Sequence, residues 1–106
     1  NDRQIGRALQ LMHSEYSQTW TVESLASKVA MSRSRFAERF SELIGMSPMA
    51  YLSEWRLQKA LSLLDDSRCS IQQVAMQTGY QSPAAFTRAF SSKFGSPPTE
   101  YRKAAS

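Results

Sequence analysis

Residues 22–32 have the sequence VESLASKVAMS and residues 71–82 have the sequence IQQVAMQTGYQS, so one short pattern occurs twice in the chain. Two phenylalanines, a glycine, a proline and a tyrosine follow each copy in the same order: Phe36, Phe40, Gly45, Pro48 and Tyr51, then Phe86, Phe90, Gly95, Pro98 and Tyr101. Matching residues lie about 49 positions apart in the early part and about 50 later, which predicts one extra residue near Pro83. Internal repetition of this kind indicates one structural unit used twice.

The spacing of apolar residues predicts an all-α fold of seven helices, and no strand pattern appears. We expect a first helix over 3–16, ended by Gln18 and Thr19. The second helix is capped by Thr21, and the third is capped by Ser32 and ended by Gly45. The remaining helices are expected near 48–65, 71–78, 82–94 and 98–104. The core sides of the third and sixth helices are predicted from helical phase: Phe36, Phe40, Leu43 and Ile44, and Phe86, Phe90 and Phe94.

Each copy fits a helix-turn-helix unit, in which two helices cross closely at a tight turn. Ala26 and Ala75 are small residues in mid-helix, where such a crossing needs them. Gly79 lies where the turn often requires a positive φ, whereas the first copy has Ala30 there. Packed helical hairpins are the alternative, and two matched units in register favour helix-turn-helix. We therefore expect subdomains at 1–47 and 67–106, joined by a long linker helix at 48–66.

Composition narrows the class of protein further. The chain has 106 residues, a formal net charge of +4 and a pI near 9.6, and a basic surface favours a polyanionic partner. Cys69 is the single cysteine, so an internal disulfide is excluded and a reducing, cytoplasmic location is expected. No apolar run is long enough to span a membrane, and no signal-peptide pattern opens the chain. Because the sequence begins with Asn1, we expect a domain of a longer protein or a processed start.

Helical phase identifies the side chains that could face the bases of double-stranded DNA. Residues opposite the phenylalanines and near the helix N-termini are the candidates: Ser34, Arg35, Ala37 and Glu38 in the third helix, and Ala84, Ala85, Thr87 and Arg88 in the sixth. Arg88 suits guanine O6 and N7, Glu38 suits the cytosine N4 amino group, and the alanines and the Thr87 methyl suit the thymine methyl. The alternatives are an ion pair of Glu38 with Arg35 or Arg39, and a solvated charge for Arg88.

Helix N-termini and nearby polar residues supply candidate phosphate contacts. These candidates are Thr21, Ser32, Arg33, Gln72 and Ser82. A linker helix of about 17 residues spans about 25 Å, so the two recognition helices could lie about 34 Å apart, one turn of B-DNA. One chain would then contact two successive segments of the major groove.

The repeated units, the long helix between them, WTVESLA at 20–26 and GSPPTEYR at 95–102 resemble the DNA-binding domain of the AraC/XylS transcription regulators. The resemblance covers Ile5 to Arg102 and is most specific in the second unit: Ile71, Val74, Ala75, Gly79, Tyr80, Ser82, Phe86, Arg88, Phe90, Phe94, Gly95, Pro97, Pro98, Tyr101 and Arg102. It implies a seven-helix monomer that places two recognition helices in adjacent major-groove segments. It also implies RNA polymerase as a partner and a separate N-terminal effector or dimerisation domain. Glu38 departs from the family, which often has a longer polar or basic side chain there.

Two other classes of function are weighed against DNA binding. An enzyme needs a constellation of reactive groups, and the lone His13 is far in sequence from Cys69, with no glycine-rich phosphate loop. We therefore predict no catalytic residues, no metal ligands and no cofactor. The second alternative is a helical protein-interaction module that binds no DNA.

Overall fold

The computed structural model describes residues 2–105 and confirms an all-α fold, with seven helices and no strand in that range. The helices are α1 (Asp2–Ser14), α2 (Val22–Lys28), α3 (Arg33–Ile44), α4 (Pro48–Leu64), α5 (Ile71–Gln77), α6 (Pro83–Phe94) and α7 (Pro98–Ala105). The chain forms two compact units, residues 1–55 and 56–106, so the boundary falls inside α4.

Hydroxyl side chains set where several helices begin. Five of them accept a hydrogen bond from the backbone N–H three residues later: Thr21, Ser32, Ser47, Ser70 and Ser82. Satisfying a free N–H of the first turn stabilises a helix by about 1 kcal/mol. At the other ends of α3 and α6, Gly45 and Gly95 take φ of 88° and 83°, a left-handed conformation that glycine adopts at little cost.

The first helix is shorter than its apolar pattern predicts. It ends at Ser14 rather than at residue 16, and Tyr16 lies in the turn after it. The Ser14 hydroxyl donates to the Gln10 carbonyl at 2.8 Å, and the Trp20 indole donates to the Glu15 carbonyl at 2.8 Å. The carbonyl of Glu15 therefore accepts a hydrogen bond from Trp20 instead of continuing the helix. Tyr16 packs against the core from the turn that follows α1.

The core of the first unit forms where α1, α2 and α3 meet the first turns of α4. Its buried residues are Ile5, Ala8, Met12, Leu25, Ala26, Val29, Phe36, Phe40 and Leu52. Ala26 is buried, as the close crossing of two helices requires. The prediction for Leu43 was wrong, because this side chain is 42% exposed. Helical phase gives the direction of a side chain but not how far neighbouring helices extend, and Leu43 lies in the last turn of α3.

The second unit repeats this packing with α5, α6 and the last turns of α4. Its buried residues are Leu57, Ala60, Leu64, Val74, Ala75, Phe86 and Phe90. The Phe90 ring lies 4.6 Å from Phe94 and 5.9 Å from Tyr101, measured between centroids, and these contacts connect α6 to α7. Thr78 is buried, and its hydroxyl donates to the Val74 carbonyl at 2.8 Å, so its polar group is satisfied by the end of α5.

The turns between the paired helices have the same backbone form in both units. The Met31 N–H donates to the Ala26 carbonyl at 2.9 Å, and the Tyr80 N–H donates to the Ala75 carbonyl at 3.0 Å. The residue before each donor has positive φ: 59° at Ala30 and 90° at Gly79. The turn at Ala30 is therefore left-handed, as at Gly79. Because the matched N-caps are Ser32 and Ser82, the extra residue of the second copy is Gln81.

Candidate nucleic-acid interface

The solvent-facing side of α3 is defined by the two phenylalanines on its other side. Phe36 and Phe40 are completely buried. The predicted base-contacting residues Ser34, Arg35 and Glu38 are exposed, and Ala37 is half-buried beside them. The structure therefore places all four on the side of α3 that does not enter the core.

Four charged residues follow one another along α3 and line a surface cleft of ≈ 400 Å³: Arg35, Glu38, Arg39 and Glu42. Arg39 Nη1 lies 3.7 Å from Glu42 Oε1. Within residues 2–105, Glu38 has neither a hydrogen bond nor an ion pair from its carboxylate. The alternative of an ion pair between Glu38 and Arg35 or Arg39 is therefore wrong, and Glu42 pairs with Arg39 instead.

In the second unit, the corresponding side of α6 carries small side chains and one basic side chain. Phe86 and Phe90 are completely buried. Ala84 and Arg88 are exposed, while Ala85 and Thr87 are half-buried. The Arg88 guanidinium makes no hydrogen bond or ion pair in the described part of the chain. Its donors are available to a ligand, and its small neighbours leave space around it.

The predicted phosphate-contacting residues lie near helix starts. Thr21, Ser32 and Ser82 are N-caps whose oxygens accept backbone hydrogen bonds. A hydroxyl that accepts still has its own hydrogen to donate, so each cap can also contact a phosphate oxygen. Arg33 is exposed in the first turn of α3, and Gln72 is exposed in the first turn of α5.

Comparison with known proteins identifies the arrangement. Residues 25–104 match a family model described as a helix-turn-helix domain. The DNA-binding domain of AdpA, solved in complex with a target DNA, superposes with a TM-score of 0.90 at 33% identity, over 94% of this chain and 90% of that one. The chain belongs to the AraC/XylS family.

Relatives of this AraC/XylS domain are transcription regulators by name. It is 42% identical to the regulator AlkR of Acinetobacter baylyi over 94% of this chain and 33% of AlkR. It is 38% identical to the activator RclR of Escherichia coli over 93% of this chain and 35% of RclR. The chain thus spans about a third of the length of the curated relatives it matches.

Two interactions that support the AraC/XylS helices were not predicted from the sequence. Ser70 caps α5 in a capping box with Gln73, whose side chain accepts from the Ser70 N–H at 2.8 Å. Arg102 donates from Nε to the Leu64 carbonyl at 2.9 Å and from Nη2 to the Asp66 carbonyl at 3.3 Å. The pattern S-x-x-Q at 70–73 is a recognised helix-start signal, whereas the sequence separation of 38 between Arg102 and Leu64 gave no local signal.

His13 and Cys69, the two residues considered for catalysis, both make packing contacts within the fold. His13 Nε2 lies 2.7 Å from the Tyr51 hydroxyl, and the His13 ring stacks on Trp55 at 3.9 Å. Burial raises the pKa of the Tyr51 phenol. Cys69 is half-buried against the core of the second unit. Among the described residues, no group of three or more His, Cys, Asp or Glu side chains could hold a metal ion, and no helix is long and apolar enough to cross a membrane.

Proposed function

We propose that this domain binds double-stranded DNA at specific sequences to regulate bacterial transcription, with α3 and α6 as the recognition helices. One observation carries the proposal: two helix-turn-helix units expose polar faces on these helices in a fold that matches the DNA-bound domain of AdpA. The alternative of an interaction module that binds no DNA has no comparable support. We propose no catalytic role.

Base recognition divides between the two helices in this proposal. Arg88 donates two hydrogen bonds to guanine O6 and N7, and Ala84, Ala85 and the Thr87 methyl contact thymine methyl groups. On α3, Glu38 accepts from the cytosine N4 amino group, while Ser34, Arg35 and Ala37 contact neighbouring base edges. Within the described residues, the Arg88 guanidinium and the Glu38 carboxylate make no hydrogen bond or ion pair, and this supports both assignments.

Phosphate contacts hold each helix in the groove. The N-cap hydroxyls of Thr21, Ser32 and Ser82 point their remaining hydrogen to phosphate oxygens, and Arg33 and Gln72 add donors from exposed first turns. Such contacts fix the position of the protein but carry no sequence information. We further propose that α4, a continuous helix of 17 residues, sets the spacing for two adjacent major-groove segments.

For the whole protein, the lengths of the relatives support a larger architecture. The domain would be linked to an N-terminal effector or dimerisation domain and would contact RNA polymerase as an activator in the cytoplasm. The supporting observations are the activator named in Escherichia coli and the share of each relative that this chain covers.

Selection of bound duplexes from a random pool tests the proposal and gives the site. Arg88→Ala is then compared with Arg68→Ala, which removes an equal charge from an exposed turn of the same unit. We expect Arg88→Ala to relax the preference at one base pair by about 1–3 kcal/mol, and Arg68→Ala to leave it unchanged. Failure of the parent domain to bind any duplex would refute DNA binding, and equal weakening on all sequences would make Arg88 a phosphate contact.

A further inference from the structure

The formal charge of the chain is divided unevenly between its two units. Residues 1–55 contain six Lys and Arg against six Asp and Glu, so this unit is neutral. Residues 56–106 contain seven Lys and Arg against three Asp and Glu, and they therefore carry the entire net charge of +4. Attraction to the phosphate backbone supplies most sequence-independent affinity for DNA. The first unit is therefore the poorer of the two at holding a duplex of arbitrary sequence.

The same asymmetry appears at one matched position of the two recognition helices. Phe36 matches Phe86, so Glu38 of α3 matches Arg88 of α6. Both side chains are exposed, and neither has a hydrogen bond or ion pair within residues 2–105. α6 has no acidic residue, whereas α3 has Glu38 and Glu42. Glu42 lies 3.7 Å from Arg39, so within residues 2–105 Glu38 is the carboxylate of α3 that has no ion-pair partner.

A carboxylate without an ion-pair partner has few acceptable positions in the major groove. Phosphates on either side of the groove repel it, and most base-edge atoms there are acceptors like itself. The hydrogen-bond donors of the major groove are the N4 amino group of cytosine and the N6 amino group of adenine. Against any other edge, Glu38 would lose water without gaining a hydrogen bond, and a desolvated charge without a partner is costly.

We propose that Glu38 is a specificity-determining residue that acts by rejection. Within residues 2–105 its carboxylate has no ion-pair partner, and it weakens the docking of α3 on every duplex that places a guanine or thymine edge, rather than a cytosine or adenine amino group, opposite it. This rejection exceeds the affinity gained on a matched site. The inference rests on the DNA-binding function proposed above. It adds that the negative charge of Glu38 lowers affinity for unselected DNA.

The test compares Glu38→Gln with Glu15→Gln in the intact domain. Both changes remove one exposed negative charge from the first unit, and Glu15 lies in the turn after α1, outside α3. Equilibrium binding is measured by fluorescence anisotropy for the selected duplex and for a random-sequence duplex at one salt concentration. Glu38→Gln is expected to raise affinity for the random duplex and to lower the selected-to-random affinity ratio about tenfold. Glu15→Gln is expected to leave that ratio unchanged.

The outcomes separate the inference from the function on which it rests. If Glu38→Gln lowers affinity for the selected duplex but leaves random-duplex affinity as in Glu15→Gln, Glu38 makes only an attractive contact and rejection is refuted. If the two variants have the same affinity ratio, Glu38 does not determine specificity. If the parent binds no duplex, the proposed function itself fails. Circular dichroism of both variants checks that the helices are retained.

Discussion

Exchanging the residues at Ala30 and Gly79 should change the stabilities of the two units in opposite directions. Both positions lie in the helix-turn-helix turn and have positive φ. Ala30 is exposed, so its methyl group contributes little packing. Ala30→Gly should relieve backbone strain in the first unit, and Gly79→Ala should introduce it in the second.

The φ angles set the sizes of the two effects. A left-handed conformation costs a residue with a Cβ about 1–2 kcal/mol, and glycine loses about 0.4–1 kcal/mol more than alanine through the unfolded chain. For Ala30→Gly these terms oppose each other, so we expect a stabilisation of about 0.5–1 kcal/mol. For Gly79→Ala the φ of 90° lies outside the usual left-handed region, and we expect a loss of about 1–3 kcal/mol.

Urea unfolding monitored by circular dichroism measures both changes. With a slope of about 1–3 kcal/mol per molar urea, Ala30→Gly should raise the midpoint of the first unit by roughly 0.5 M, with the slope unchanged. Tryptophan fluorescence, recorded in parallel, reports on the first unit, because Trp20 and Trp55 both lie in residues 1–55. Destabilisation by Ala30→Gly, or no effect of Gly79→Ala, would show that the left-handed turn does not strain alanine as reasoned.

Further variants test the packing of the second core, the hydrogen bonds of Arg102 and the spacer role of α4. Phe86→Ala and Phe90→Ala should each destabilise the second unit by about 3–5 kcal/mol, and a fully folded variant with altered DNA specificity would contradict their assignment to the core. Arg102→Ala should cost about 1.5–3 kcal/mol in urea unfolding, with Arg102→Lys restoring little because it lacks the planar fork. Two alanines inserted after Trp55, at the boundary between the two units, should rotate the second unit by about 200° and move it about 3 Å along the helix axis. A helical insertion variant should therefore lose affinity for the selected site, and unchanged binding would refute the spacer role of α4.

The helices and cores were largely predictable because their signals are local. Phenylalanines four residues apart, hydroxyls before helices and glycines after them are each sufficient to place α3 and α6 within a residue or two. The wrong predictions concern residues whose burial or helical state depends on what packs around the end of a helix. Leu43 has the phase of a core residue but lies in the last turn of α3, and Tyr16 fits the pattern of α1 but lies in the turn after it.

The candidate site was predictable in direction but not in its contacts. Phase alone shows that Ser34, Glu38 and Arg88 face away from the phenylalanines. Whether Glu38 pairs with Arg35 or Arg39 depends on side-chain conformation, and the structure pairs Arg39 with Glu42 instead. Arg102 illustrates the other limit, because its partners are backbone carbonyls 38 and 36 residues earlier in the chain.

The two units share one backbone arrangement but differ in the side chains on the exposed sides of α3 and α6. This difference predicts the form of the DNA site. The two turns share one hydrogen-bond pattern, and matched phenylalanines fill both cores. On this common frame, Glu38 and Arg88 occupy one position with opposite charges. A carboxylate requires a base-edge donor and a guanidinium requires an acceptor. Two units of the same fold should therefore contact different base sequences, and the bound site should be two unlike halves rather than a repeat of one half.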